Sequence, residues 1–215
     1  MKGRLSERDN ILVGAGVIAL AAIVYFVGIR VERSDLANPQ TKLERAREAL
    51  RSGDDGVAFS MFQPLAKTGN ARAQFWLGDM YEHGYGVKKN VPAAVDWFTR
   101  AAGQGLTRAE ARLGQLYFEG DETLQDFAKA KRWLKAAAMG GDAASERYLG
   151  QIYELGLGGP RDLIKAYAWY ECAVLNGDHL ALPMRDALTS HMLPADILKA
   201  QSEAKEVWAD VKPAA

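Results

Sequence analysis

The feature that most constrains this chain is an internal period of 36 residues, held without insertion across three copies. Leu77-Gly78 returns as Leu113-Gly114 and Leu149-Gly150, Tyr81 as Tyr117 and Tyr153, and Trp97 as Trp133 and Trp169. The punctuation keeps the same period. Asp54, Asn90, Asp126 and Asp162 each precede an apolar-periodic stretch, where a short polar side chain accepts from the free N–H groups of a helix's first turn. Gly69, Gly105, Gly141 and Gly177 follow, and a second set, Gly84, Gly120 and Gly156, comes after the Leu-Gly and Tyr positions. Both sets mark helix ends closed by a left-handed residue. Each unit is therefore predicted to be a helix pair. A lone pair leaves apolar stripes uncovered on both helices, so stacking is what makes such units stable. The expected fold is all-α: an α-solenoid of antiparallel helix pairs.

Within the first full unit, the first helix is expected over residues 71–83, with Leu77, Met80 and Tyr81 on one side, and the second over 91–104, with Ala94, Trp97 and Ala101. The units run 71–106, 107–142 and 143–178. Residues 41–70 read as a degenerate first pair: Thr41 and Glu44 offer a capping box for a helix through about residue 51, and 54–69 form a second helix in register. Residues 179–215 lose the period and give amphipathic stretches over 185–192 and 195–208, a C-terminal cap for the open end of the array. Residues 30–40, with Asn38-Pro39, read as a polar linker.

Ahead of that linker, after an N-terminal tail of residues 1–10, residues 11–29 carry no charge. At a rise of about 1.5 Å each they cover roughly 28 Å as a helix, close to the hydrocarbon thickness of a bilayer. This is expected to be a single-pass membrane anchor. A cleaved signal peptide is the alternative, but the run is long for one and ends in bulky Tyr25, Phe26 and Val27 instead of a small-residue cleavage site. Ala15, Ala19 and Ala22 share a face that would allow weak self-association of the span. The flanking charges, Lys2, Arg4 and Arg8 against Arg30, Arg33 and Lys42, balance and leave the orientation open.

Across the whole chain 27 Lys and Arg balance 27 Asp and Glu, so there is no overall field to gather nucleic acid, and no nucleic-acid partner is expected. The single Cys172 excludes a disulfide within the chain and any cysteine metal cage, and its place in a helix suggests an inert packing residue. Phosphate-loop, zinc-protease and nucleophile-elbow motifs are missing from the sequence, and His83, His179 and His191 are too sparse to form a metal cluster on their own. No catalytic residue, metal or cofactor is expected. The Trp column reads as packing between units, not as a stacking platform. Lys129, Lys131, Arg132 and Lys135 read as a solvated outer face.

Residues on the first helix of each pair that do not face the core should line the inner curve. They are Arg72, Phe75, Asp79 and Glu82, then Arg108, Gln115 and Phe118, then Arg147, Gln151 and Glu154. Phe75 and Phe118 are the expected exposed aromatic anchors for a partner; the alternative is that some of these residues pack against neighbouring units.

The string ARAQFWLGDMYEHGYGVKKNVPAAVDWFTRAAGQG, with copies beginning at Thr107 and Ala143, resembles the Sel-one-like repeat family, relatives of the tetratricopeptide repeats. That resemblance implies an adaptor or scaffold that holds protein partners on a concave face, with bacterial members often exported or membrane-attached in envelope assembly and signalling. It also inclines the array toward the periplasmic side. Some relatives carry a disulfide in each repeat and are linked to envelope glycan; a glycan or small-ligand binder or hydrolase is the alternative, and the lone Cys172 argues against carrying it over.

Overall fold

The computed structural model describes residues 38–120 and 125–211. The predicted tail, membrane span and most of the linker lie outside the described residues. Within them, ten α-helices follow one another without a strand: α1 (Pro39–Arg51), α2 (Asp55–Lys67), α3 (Ala71–His83), α4 (Val91–Ala102), α5 (Thr107–Glu119), α6 (Phe127–Met139), α7 (Ala143–Leu155), α8 (Leu163–Leu175), α9 (Ala181–Thr189) and α10 (Pro194–Asp210). From α1 to α8 each helix packs against its sequence neighbours, giving four stacked pairs, and α9 and α10 both fold back onto α8. Among the described residues no helix is long and apolar enough to cross a membrane.

The helix boundaries follow the punctuation. Asn90, Asp126 and Asp162 cap the second helices by accepting from the backbone N–H of Ala93, Lys129 and Lys165 at 3.0, 2.9 and 3.0 Å. Two further caps stand outside that set, two periods apart from each other. Asn70 and Asp142 serve α3 and α7, accepting from Ala73 and Ser145. Asp54 departs from the expectation: it stands at the N-cap position of α2, but its carboxylate accepts from the Ser52 hydroxyl and makes no capping bond. Nor do Thr41 and Glu44 open the first helix. Asn38 caps it three residues earlier, with Pro39 in the first turn where its missing N–H costs nothing, and Glu44 pairs with Arg47.

The Leu-Gly signature marks where the two helices of a pair touch. A methyl group at Gly78 would lie 2.8 Å from the Phe98 ring, one at Gly114 2.5 Å from Leu134, and one at Gly150 would overlap the Tyr170 ring. Phe98, Leu134 and Tyr170 are themselves 36 residues apart and fully buried. Between pairs, Phe98, Ala101 and Ala102 of α4 pack on Ala109, Leu113 and Leu116 of α5, so the core is a continuous seam. Only Trp169 of the Trp column is buried, in a cluster with Val211 beyond α10. Trp97 and Trp133 are half-buried, their rings covered by the guanidiniums of Arg100 and Arg132 at 4.6 and 4.9 Å.

Candidate functional site

Successive first helices touch directly: α5 contacts α7, Arg112 of α5 reaches Glu82 of α3, and Tyr148 of α7 stacks edge-on against Phe118 of α5 at 5.1 Å. Such close spacing puts the first helices on the shorter, inner side of the array. Because alternate helices run parallel, their N-terminal turns share one rim and their C-terminal turns the other.

At the N-terminal rim, α1, α3 and α5 enclose a hollow of about 200 Å³ lined by Leu43, Arg47, Arg72, Phe75, Trp76, Leu106 and Arg108. Its floor is apolar and its charged groups are all guanidiniums. Arg47 lies 5.9 Å from the centre of the Trp76 ring, and Arg108 lies 5.7 Å from that of Phe75. Arg47 also donates to both carboxylate oxygens of Glu44. Arg72 and Arg108 are exposed and form no hydrogen bond or ion pair among the described residues. Of the ten residues expected along the inner face, Arg72, Phe75 and Arg108 line this hollow, together with Arg47 and Trp76, which were not among them.

The middle of the inner face is an ion-pair network. Arg112 donates to both oxygens of Glu82, through Nε at 3.0 Å and through a terminal nitrogen, and to Gln115 Oε1 at 3.1 Å, with Glu119 at 4.0 Å. Glu82 is buried, so this neutralisation is what makes its position tolerable. Burial holds the Asp79 carboxyl above its ordinary value, partly offset by His83, whose Nδ1 lies 3.3 Å from Asp79 Oδ1. Asp79, Glu82 and His83 bring ligand atoms within 4.8 Å of one another. Glu82 is already compensated by a guanidinium, however, and the grouping is a closed charge network in this structure. At the far end, Gln151 and Glu154 line a shallow hollow with Leu155, Tyr170, Pro183, Met184 and Ala187.

The expected aromatic anchors are corrected by this geometry. Phe75 is buried, tilted against Phe98 at 5.5 Å and edge-on to Trp76 at 5.6 Å. Phe118 is half-buried between Phe127 and Tyr148. Arg147 is tied to Asp178 at 2.7 Å with both side chains largely covered, and Glu154 accepts from the Tyr170 hydroxyl at 2.7 Å. The cause is common to all four: a first helix contacts its own partner, the preceding pair and the next first helix, so little of its circumference stays free. On the second helices, Lys129 pairs with Asp126, and Lys131 sits 4.3 Å over the Tyr153 ring, which draws part of the basic run onto the protein itself.

The Sel1 repeat pattern matches residues 71–106, 107–142 and 143–178, half of the chain. The chain belongs to the Sel1 repeat family. Its structure is similar to that of a Sel1 repeat protein from Oxalobacter formigenes, with a TM-score of 0.69 and 29% identity over 96% of this chain and 84% of that one. A second likeness, of fold alone, is to c5321, a protective antigen of uropathogenic Escherichia coli with an SLR fold: TM-score 0.54, 24% identity, 82% of this chain but 48% of that one. A sel1-like repeat-containing protein of Acanthamoeba polyphaga mimivirus is 49% identical over 39 residues, which is 18% of this chain and 7% of that protein. Sel1 repeat arrays generally mediate protein–protein interaction, and this chain has the array.

Proposed function

We propose that this Sel1 repeat protein is a membrane-tethered adaptor that recruits a partner protein on the inner face of its solenoid, in bacterial envelope assembly or signalling. The observation that carries the recruitment reading is the arginine-lined hollow, where two exposed guanidiniums stand over an apolar floor and neither is held in an ion pair among the described residues. Charged groups beside a concave apolar surface are the usual makings of an interaction site. The tether rests on the uncharged run 11–29, and confinement to a membrane surface would raise the local concentration of a co-resident partner enough for modest contacts to hold it.

A photo-cross-linking residue in place of Gln115, half-buried on the inner face, is compared in intact cells with one at the exposed Lys135 of α6. A discrete partner from Gln115 alone is the expected result. Equal background from both positions would sink the recruitment reading. The tether is checked separately by alkaline extraction: the full chain should stay with membranes and a chain lacking residues 1–37 should not.

A further inference from the structure

We infer that the arginine-lined hollow receives a carboxylate of an acidic peptide segment in the partner protein, with an apolar residue of that segment seated on the adjoining floor. The inference rests on the recruitment reading and adds the chemistry of what is recruited. Three arginines and no acidic residue line the hollow, in a chain whose total charge is zero, so the local excess is a property of the site. The other inner-face arginines are engaged, Arg112 by Glu82 and Arg147 by Asp178. Arg72 and Arg108 hold the same register in successive repeats, and Arg108 is laid against the Phe75 ring, which pre-orders its planar fork for a carboxylate.

Size and surroundings narrow the occupant. About 200 Å³ is smaller than the roughly 300–1,000 Å³ of small-molecule pockets and suits one or two side chains. A polyanion fits poorly. Two exposed guanidiniums are few for a backbone of phosphates, and Asp79 in the middle of the inner face, with Glu119 and Glu154 at the opposite rim, would repel one laid across the groove. The same asymmetry orients a peptide, its acidic residue toward the arginine rim.

The test uses the full chain in detergent micelles and a fluorescent peptide carrying Phe-Asp-Glu between neutral spacers, against its Phe-Asn-Gln counterpart. The acidic peptide should bind at least about tenfold more tightly, and Arg72→Gln with Arg108→Gln should remove at least about tenfold in Kd, the scale of hydrogen bonds to charged groups. Lys135→Gln should change nothing, and the melting temperature of the double variant should match the native chain because both arginines are exposed. Equal binding of the two peptides, or full binding by the double variant, would overturn the inference. So would displacement by a few millimolar inorganic phosphate combined with indifference to the Phe, which would mark a small-anion site. If Gln115 still cross-links its partner in the double variant, the carboxylate inference falls while recruitment stands.

Discussion

At the scale of single residues, the repeat signature is a packing requirement that can be broken one methyl group at a time. Replacing Gly by Ala in a helix gains up to about 1 kcal/mol of intrinsic propensity, whereas overpacking a fixed contact costs about 1–3 kcal/mol. At Gly150 the contact is fixed, because the Tyr170 ring is fully buried and its hydroxyl is bonded to Glu154. At Gly114 the obstruction includes the backbone nitrogen of Leu134 at 3.0 Å. Gly150→Ala and Gly114→Ala should therefore each lower the urea midpoint, despite the gain in propensity. Glu146 offers a second test. It is fully buried, with Asn176 donating to one carboxylate oxygen at 2.7 Å and no partner for the other. Burial raises its pKa from 4.5 to about 8, with Asp142 and Asp178 adding to the effect. The folded state thus holds a proton that the unfolded state releases, so the contribution of this group to stability is greatest below about pH 4.5, falls as pH rises toward 8 and levels off above that. Glu146→Gln mimics the protonated form and should flatten that slope. It should match the native chain at pH 5 and exceed it by on the order of a few kcal/mol at pH 8.5. An unchanged slope in urea titrations would contradict the assignment.

At the scale of elements, α8 shows what the terminal helices accomplish. Tyr167, Ala168, Trp169, Tyr170, Cys172 and Ala173 are all buried, so its covering extends round most of its circumference, supplied by α7, α9 and α10. Cys172 Sγ lies 3.7 Å from the Ala204 carbonyl oxygen of α10, and burial pushes its thiol up to about 12. At pH 8 the reactive thiolate is then on the order of one part in ten thousand. Native chain should resist a thiol reagent, and Ala204→Glu, which drives a carboxylate into that contact, should make Cys172 label many times faster before any global unfolding; equal rates would mean that α10 is not the shield. The existence of these helices was legible in the sequence because caps, closing glycines and the 36-residue period are all local or nearest-neighbour signals. What escaped were consequences of contacts about 30 residues apart: Glu82 with Arg112, Gln74 with Gln104, Glu146 with Asn176. Amphipathic counting assigns one face to the core, but Phe75 and Glu82 of α3 are buried outside the Leu77–Met80 stripe, Phe75 between Phe98 of its own unit and the next first helix and Glu82 by Arg112. Phe75 departs from the exposed position expected of it for that reason, and Arg47 belongs to α1, ahead of the regular repeats whose period points to the inner face. That Arg72 and Arg108 do not face the core was legible, because helical spacing from the Leu77 and Leu113 positions alone places them off the buried stripe.

At the scale of the whole molecule, an array held by nearest-neighbour contacts should survive the loss of an interior unit if the new junction matches the old one. Deleting residues 107–142 would bring α7 onto α4. The α5 residues that meet Phe98 and Ala101 are Ala109, Leu113 and Leu116, and their counterparts one period later are Ser145, Leu149 and Ile152, nearly the same volumes in the same register. The shortened chain should fold, with helicity per residue close to the full chain, a smaller urea m-value in proportion to the area lost, and a lower melting temperature. The hollow would not survive with it, because the residue that replaces Arg108 is Ala144, and the Glu82 carboxylate would face Tyr148 in place of Arg112. Circular dichroism and the acidic-peptide assay on the same preparation then separate two properties the intact protein always shows together. A folded deletion that no longer binds would place recognition in the arginines of particular repeats, whereas retained binding would mean that the curved scaffold alone suffices.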